Sequence, residues 1–567
     1  MAIWKTYRVA DAVTEIDEEK FVLPVIQRSL VWTEDKMELL FDTLLKGDSF
    51  GGVMVIEEEK NTKPLFNYRP FTKDGNFILS RQIDSLKQQQ FFVIDGQQRL
   101  QTFYIGLKGA INGKSLYFDL FSDYNLEYEF KFEKDENKLP KISKENIDRK
   151  IPEHCWYPVK ALLERLKIVG KYKQVVREII DEQQITEEVK KYYIEENILS
   201  FYENVLNSET LGISKVIINK SLPEVENRQR IVELFRRLND GGTRLSSFDL
   251  VASILKGFSW EMEGFLKEML ERYQDIGLTQ DNLIKLIFLL QDNHNKEMAS
   301  IEKTDAEFAI IHRDRIKATI KALKDFLECS KTVDYYKEGN RSFIPLFFIS
   351  YHLFHKKIDN NSLQNYFNNY ETANVEFPLM KRWLYHSLIN GVFRSRGAGW
   401  IPYKTGIKKI LESIKNNKNK EFPIGELFRV YLTHPITFTT KYTSGNLDQL
   451  DSSFVYYLIY DRARITRIND VDHIMPKNIL ETKGFDLSKI NSIKNSQLLD
   501  FGTNRGAKNG KPFKEWVNNP VYVKDKPTYV ALHLMPSDET LWTEDKFEDF
   551  IEARATLILG KLGSNVN

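Results

Sequence analysis

The stretch FFVIDGQQRLQTF, residues 91–103, decides how the first part of the chain folds, because a strand pattern passes through one turn into a helical pattern. Gly96 permits a tight turn directly after the apolar run. The backbone N–H groups that open the following helix, with Arg99 beside them, predict an anion site. The Walker pattern G-x-x-x-x-G-K-[ST] does not occur around this turn, so a P-loop ATPase is not indicated. Taken alone, the turn leaves a structural and a functional role open.

Length, charge and cysteine content narrow the class of protein. The chain has 567 residues, which at roughly 150 residues per domain predicts three to four domains or two large ones. Its 81 Lys and Arg residues against 80 Asp and Glu residues give a net charge of +1, so any nucleic-acid-binding surface must be local. With only Cys155 and Cys329, neither a disulfide framework nor a thiolate metal site is available, which fits a cytoplasmic location.

The apolar patterning predicts no membrane segment. The N-terminal residues interleave charged and apolar side chains, which excludes a secretory signal. The longest apolar run, FIPLFFISYHLF at residues 343–354, is shorter than the roughly 18 residues that a bilayer span requires. We interpret this run as a buried helix and expect no membrane partner.

Patterns along the chain predict an α+β multidomain protein. Strand patterns lie at residues 53–57 and 213–219, and a helical pattern lies at residues 32–46. Between residues 259 and 411 the apolar residues recur at helical spacing, which predicts a central helical block. The polar run ESIKNNKNKE, residues 412–421, has the composition of a linker. We therefore predict three domains, at residues 1–258, 259–421 and 422–567.

The C-terminal part contains three polar motifs with the spacing of a compact metal site. An Asp next to a His lies on a predicted strand that ends at Pro476, a second short strand leads to Asn504, and Pro512 opens a short helix. Residues 461–516 contain 11 Lys and Arg against 7 Asp and Glu, which suits a polyanion. The motifs are DVDHIMPKN at residues 470–478, NSQLL at residues 495–499 and TNRGAKNGK at residues 503–511.

Asp, His and Asn in this arrangement can support phosphodiester hydrolysis. Two oxygen ligands, with water and phosphate in the remaining positions, suit Mg²⁺ or Mn²⁺ better than zinc. His473, neutral near pH 7, can accept a proton from an attacking water while the cation neutralises charge on the phosphate. In the alternative interpretation, the Asp–His pair belongs to a turn and Asn504 caps a loop. The combined spacing favours the nuclease site.

The C-terminal motifs resemble those of the HNH, or ββα-metal, nucleases, and they are closer overall to the C-terminal domain of GmrSD-type restriction enzymes. Those enzymes also carry a late stretch like residues 533–554, with HLMP, LW, F and R in order. An acidic pair, Asp470 and Asp472, replaces the first His of the HNH signature, which leaves open which carboxylate binds metal; we favour Asp472 by adjacency. The resemblance implies His473 as general base, Asp472 and Asn504 as metal ligands, Asn495 as the residue that orients the histidine loop, and Arg505, Lys508 and Lys511 as phosphate contacts.

Three N-terminal motifs together resemble the N-terminal domain of the same enzymes, which is related to the ParB and sulfiredoxin fold. They are residues 91–103, PVIQRSLVW at residues 24–32, and LFRRLNDGGTRLSSFDL at residues 234–250, and the resemblance covers roughly residues 10–258. It implies a domain that binds and hydrolyses a nucleoside triphosphate, GTP or ATP. The implied nucleotide-binding residues are Gln27, Arg28, Asp95, Gly96, Gln97, Gln98 and Arg99, with Arg237 and Asn239 as further candidates.

Both parts of a GmrSD-type enzyme therefore occur in one chain and in the usual order. The resemblance implies a nucleotide-regulated, metal-dependent DNA endonuclease that restricts modified phage DNA. Two alternatives remain: a non-enzymatic, nucleotide-responsive DNA-binding regulator, and an RNase toxin. The sequence does not determine the DNA modification, the preferred nucleotide or the role of the helical block, and it leaves a homo-oligomer open.

Overall fold

The chain forms two compact units in a computed structural model. The first unit comprises Met1–Phe265 with Lys296–Ile310, and the second comprises Leu266–Asn295 with Ile311–Asn567. The structure describes residues 3–142, 150–219, 221–240, 247–293, 301–337, 341–372, 374–393, 406–433, 438–460, 469–500, 503–508 and 510–566.

A six-stranded mixed sheet forms the centre of the first unit. The strands are β1 (Ile3–Tyr7), β2 (Phe21–Pro24), β3 (Val53–Glu58), β4 (Tyr68–Pro70), β5 (Gln90–Asp95), β6 (Ser115–Asp119), β7 (Phe130–Glu133), β8 (Trp156–Pro158) and β9 (Leu211–Val216). The strand order of the central sheet is β1-β9-β3-β5-β2-β4, with β2–β5 and β3–β9 parallel and the other pairs antiparallel, and β7-β6-β8 form a smaller antiparallel sheet. The strand predicted at residues 53–57 is confirmed as β3; the strand predicted at residues 213–219 is β9, which begins two residues earlier and ends at Val216.

Helices with an apolar stripe pack against the strands of both sheets. The predicted helix at residues 32–46 is confirmed, and its Met37, Phe41 and Leu44 enter one core with Val55 and Val93 of the sheet. The helices of this part are α1 (Val9–Asp17), α2 (Glu34–Leu45), α3 (Gln97–Lys108), α4 (Val159–Val169), α5 (Tyr172–Glu182), α6 (Glu188–Phe201), α7 (Glu224–Asp240), α8 (Ser247–Phe258), α9 (Glu261–Tyr273), which continues into the second unit, and α11 (Lys303–Ile311).

The described residues of the predicted helical block form helices joined by turns and loops, with no strand among them. The apolar run at residues 343–354 is confirmed as a buried helix, α14 (Ile344–Phe354), with Pro345 in its first turn. Among the described residues, no helix is long and apolar enough to cross a membrane. The helices are α10 (Gln280–Leu290), α12 (Arg313–Cys329), α13 (Val333–Lys337), α14 (Ile344–Phe354), α15 (Asn360–Gln364), α16 (Glu376–Ile389), α17 (Gly406–Asn416), α18 (Ile424–Leu432) and α19 (Ser452–Ile459).

The polar run at residues 412–421, expected to be a linker between domains, lies at a helix–helix connection within the second unit. It forms the end of α17 and the turn into α18, which packs against α17. Asn417 bridges the connection, because its amide donates to the carbonyl of Ser413 and to Glu426. Most of the helical block therefore shares one compact unit with the C-terminal elements, while its residues up to Phe265 and Lys296–Ile310 belong to the first unit.

The C-terminal elements contain a two-stranded antiparallel ribbon and a small core. β10 and β11 pair with Asp472 opposite Gln497 and His473 opposite Ser496. The polypeptide then makes one π-helical turn, Thr503–Lys508, before the helix that Pro512 opens, as predicted. The elements are β10 (Asn469–His473), α20 (Lys477–Thr482), α21 (Leu487–Ile490), β11 (Ser496–Asp500), α22 (Phe513–Asn518), α23 (Lys526–Leu532) and α24 (Phe547–Val566).

Candidate functional site

The DGQQR turn connects β5 to α3 in the first unit. Gly96 is the residue before α3 and has φ +83°, a left-handed conformation that a side chain at this position would disfavour. Gly96 makes no side-chain cap to the first turn of α3, and the opening N–H groups of a helix are the groups that can bind an anion. The Asp95 side chain at the end of β5 is half exposed and lies 3.6 Å from Arg99.

Side-chain hydrogen bonds join this turn to the first motif. Gln97 donates to the carbonyl of Arg28, and Gln98 donates to the carbonyl of Ser29. The amide oxygen of Gln98 accepts from the backbone N–H groups of Val31 and Trp32 at 2.9 and 3.2 Å. The two glutamines predicted to bind nucleotide therefore hold the 28–32 loop against the start of α3.

Gln27 and Arg99 are also engaged by backbone carbonyls. Gln27 is buried and donates to the carbonyl of Val93 on β5. Arg99 donates to the carbonyls of Gly52 at 2.6 Å and Phe50 at 3.4 Å, which lie just before β3. The side chains of Gln27, Gln97, Gln98 and Arg99 thus shape the turn, whereas the side chain of Asp95 is half exposed.

Two charged contacts join the 28–32 loop and its neighbour Gln27 to helices α8 and α9. Arg28 is half-buried, which lowers the pKa of its guanidinium, and the nearby carboxylate of Asp249 on α8 opposes that shift. Arg69 and Glu263, both 3% exposed, pair at 2.8 Å, and Arg69 also donates to the carbonyl of Gln27. Residues 249 and 263 therefore lie close to the first motif.

The remaining N-terminal candidates lie on α7. Arg237 is exposed and pairs with Glu233 one helical turn earlier at 2.9 Å. Asn239 belongs to the same helix, but its side chain lies outside the described residues. Their predicted contact with nucleotide stays a prediction.

The second candidate site lies on the β10–β11 ribbon. Asp470 and Asp472 share one face of the ribbon because successive side chains of a strand alternate between faces. Asn504, in the π-helical turn, lies with its amide nitrogen 3.5 Å from Asp470. Asp470 is thus the carboxylate that the structure brings to Asn504, whereas adjacency to His473 favoured Asp472.

Asp472 is held by two side chains. It accepts from Gln497 across the ribbon at 2.9 Å and from the ammonium of Lys508 at 2.5 Å. Lys508 is 1% exposed and also donates to the carbonyl of His473. Burial lowers the pKa of Lys508, and the charge of Asp472 opposes this shift. An ammonium held in this way does not face solvent, so Lys508 is not placed to contact a DNA phosphate.

His473 and Asn495 occupy the turn after β10. The Nε2 atom of His473 lies 3.0 Å from the amide oxygen of Asn491. An amide oxygen only accepts, so this contact is a hydrogen bond in the tautomer that has its proton on Nε2. Asn495 is fully buried; it donates to the carbonyls of Met475 and Ile490 and accepts from the N–H of Met475. These bonds fix the backbone that follows His473, which fits the predicted orienting role.

Lys511 and Arg505 are the other two predicted phosphate contacts, and the structure describes the side chain of Lys511 alone. Lys511 is partly exposed, and its ammonium lies 5.0 Å from the centre of the Tyr522 ring. Arg505 belongs to the π-helical turn, but its side chain lies outside the described residues.

Sequence reasoning did not identify Arg554 as a residue that supports the backbone leading into the ribbon. Arg554 of α24 is completely buried and donates to the carbonyls of Ile493, Lys494 and His533. It therefore fixes the segment that leads into Asn495 and β11. Its place in the late HLMP, LW, F and R stretch was a signal, but the sequence does not indicate which backbone groups it reaches.

A third group of ligand-type residues lies in the smaller sheet. Oxygen and nitrogen atoms of Asp119, Glu129 and His154 lie within 4.8 Å of one another. Asp119 accepts from His154 at 2.8 Å and from the backbone N–H groups of Phe121 and Cys155 at 3.0 and 2.7 Å. These bonds tie β6 to β8, which accounts for the buried carboxylate as a structural element.

The sheet, the DGQQR turn and the neighbouring helices define a mixed α and β domain in which a glycine turn leads from a central strand into a helix. Residues 9–256 match the family described as GmrSD restriction endonuclease, N-terminal domain. The match contains all three N-terminal motifs, and it supports a GmrSD-type restriction endonuclease, a class that acts on DNA.

The similarity to known proteins also extends beyond that domain. The chain is 23% identical over 618 aligned residues to the Uncharacterized protein MJ0686 of Methanocaldococcus jannaschii, and the alignment covers 98% of each chain. The C-terminal part is therefore included in this similarity.

Proposed function

We propose that the protein is a nucleotide-regulated, metal-dependent DNA endonuclease of the GmrSD type that acts in defence against phage with modified DNA. The observation that supports the cutting site is the ribbon, where Asp470 and Asp472 share one face, Asn504 of the following turn lies 3.5 Å from Asp470, and His473 is the last residue of the same strand. The match of residues 9–256 supports the restriction class.

The donor set fits a magnesium or manganese ion. Asp470, Asp472 and the amide oxygen of Asn504 are hard oxygen donors of the kind that Mg²⁺ binds together with water and phosphate. A carboxylate oxygen has two lone-pair directions, so Asp472 can keep Lys508 and still bind a cation. When bound, the cation would neutralise charge on the scissile phosphate and on its leaving oxygen.

His473 would act as the general base. Its Nδ1 takes a proton from a water molecule, whose oxygen attacks phosphorus while the bond from phosphorus to the leaving oxygen breaks. The leaving oxygen then takes a proton from solvent. The amide oxygen of Asn491 stabilises the tautomer with the proton on Nε2, which leaves Nδ1 free to accept a proton. Asn495 fixes the backbone that follows His473.

Replacing His473 tests the cutting site. We expect His473→Ala to lower the rate of Mg²⁺-dependent nicking of modified plasmid DNA by roughly 10²–10⁴-fold, the usual contribution of a general base. Triphosphate hydrolysis should continue, since the N-terminal site is a separate set of residues. His312→Ala, which changes an exposed histidine of the same unit, serves as the matched control. Nicking that persists in His473→Ala would reassign the base.

A nucleoside triphosphate would bind at the DGQQR turn and regulate the nuclease. The uncapped N-terminus of α3 supports this because its N–H groups and helix dipole attract phosphate. Cleavage by wild type and by Asp95→Ala, each with and without GTP or ATP, tests the regulation. Equal cleavage in all four reactions would exclude it, and cleavage of RNA instead of DNA would favour a toxin.

A further inference from the structure

Trp4 on β1 is a large aromatic side chain that the fold leaves exposed. Its relative exposure is 60%, although tryptophan usually buries most of its ring. The ring lies against backbone that lacks side chains: a Cβ atom on Gly52 would lie 2.6 Å from the indole, and one on Gly212 would lie 3.4 Å from it. One face of the indole is therefore supported by two glycines while the ring remains open to solvent.

The indole points toward the DGQQR turn. Trp4 pairs with Ser214 on β9, and its ring reaches past β9 to Gly52, the residue before β3. The carbonyl of Gly52 accepts from Arg99, and a Cβ on Gly96 would lie 3.1 Å from the same oxygen. The indole and the turn therefore both lie next to Gly52.

We propose that Trp4 is the platform on which the base of a nucleoside triphosphate stacks while its phosphates lie at the Gly96 turn. This inference rests on the proposed nucleotide site and adds the contact that distinguishes a nucleotide from bare triphosphate. Because every base presents a π-face, stacking on Trp4 contributes affinity for nucleotides without selecting among bases. The glycines at positions 52 and 212 leave room for the indole next to the turn.

Calorimetric titration of the full chain tests the platform with three ligands: ATP, GTP and inorganic tripolyphosphate, each with Mg²⁺. We expect Trp4→Ala to weaken binding of both nucleotides by roughly 5–150-fold, the range for loss of one stacked base. Tripolyphosphate, which has no base, should bind as it does to wild type. Trp4→Phe should retain most of the nucleotide affinity. Trp260→Ala, which removes another exposed tryptophan of the same unit, is the control.

Two outcomes overturn the platform while leaving the nucleotide site intact. In one, Trp4→Ala binds the nucleotides as tightly as wild type; in the other, it loses nucleotide and tripolyphosphate affinity equally, which indicates a structural role. Gly52→Ala provides a second variant, because its methyl group must displace the indole and should also weaken nucleotides selectively. If wild type binds neither nucleotides nor tripolyphosphate, the proposed nucleotide site fails, and the platform fails with it.

Discussion

Replacement of Lys508 by Met removes the buried ammonium that neutralises the candidate nuclease site. The methionine keeps most of the side-chain volume, so the change deletes the charge and its hydrogen bonds. Asp472 then keeps its bond to Gln497 but loses its cationic partner, and the carbonyl of His473 loses a donor. Removing one partner of a buried ion pair lowers the free energy of unfolding by about 3–5 kcal/mol. The side chain of Asp472 is 12% exposed, which favours the lower end, about 3 kcal/mol.

The assay is thermal unfolding of the full chain followed by calorimetry. A loss of about 3 kcal/mol lowers the Tm of the second unit by roughly 5 °C, since the entropy of unfolding is about 2.1 cal/mol/K per residue. Lys514→Met, an exposed lysine of the same segment, should change the Tm by no more than a degree or two, because surface substitutions typically stay within about 0.5 kcal/mol. Equal Tm values for the two variants would refute the assigned burial of Lys508.

Magnesium distinguishes a metal site from a merely structural ion pair. In Lys508→Met the carboxylate no longer faces an ammonium, so a divalent cation meets less repulsion there. A ligand at a hundredfold excess over its Kd stabilises the folded state by about 2.7 kcal/mol. We therefore expect Mg²⁺ to raise the Tm of Lys508→Met more than that of wild type or Lys514→Met. An equal rise in all three would show that the cation binds elsewhere.

Three further predictions follow from buried polar groups. Asn495→Ala leaves three backbone groups without their hydrogen-bond partners and should lower the free energy of unfolding of the second unit by about 3–5 kcal/mol. The control Asn518→Ala changes an exposed asparagine and should leave the Tm nearly unchanged; Tm measurements on both variants check the prediction. Arg554→Met should lower the Tm and the nicking rate together, and nicking at full rate would contradict its support of the ribbon. Burial acts to raise the pKa of Glu376, but hydrogen bonds from His352, Lys356 and Tyr366 outweigh it and lower the pKa to about 2. Its stabilisation is therefore complete above about pH 4.5 and is lost as the pH falls toward 2; acid unfolding curves should show a smaller pH dependence for Glu376→Gln.

The strand, turn and helix of residues 91–103 could be predicted because each depends on nearby residues. Gly96 and the apolar run before it act locally, and the structure confirms the strand β5 and the helix α3. The uses of Gln97 and Gln98 could not be predicted, since their partners lie about seventy positions earlier in the chain. The motif was recognisable, but the bonds that its side chains make depend on tertiary structure.

The charged and polar patterns of the sequence predicted the local structure less well than the apolar patterns did. Lys508 follows Asn504 in a basic segment, and its burial depends on an aspartate thirty-six positions away. The polar run at residues 412–421 has a composition that suits a linker and a helix–helix turn equally, so only packing could distinguish them. Arg554 could be recognised only as part of a motif. Its hydrogen-bond acceptors could not be predicted, because they are backbone carbonyls, which every residue possesses.

The pair between Arg69 and Glu263 determines where this chain can be cut for separate study. A fragment that stops at residue 258, the end of α8, would keep Arg69 and discard the carboxylate that neutralises it. Such a truncation would aggregate or unfold for a reason unrelated to its own nucleotide chemistry. A fragment that runs on through Tyr273, the last residue of α9, keeps both charges.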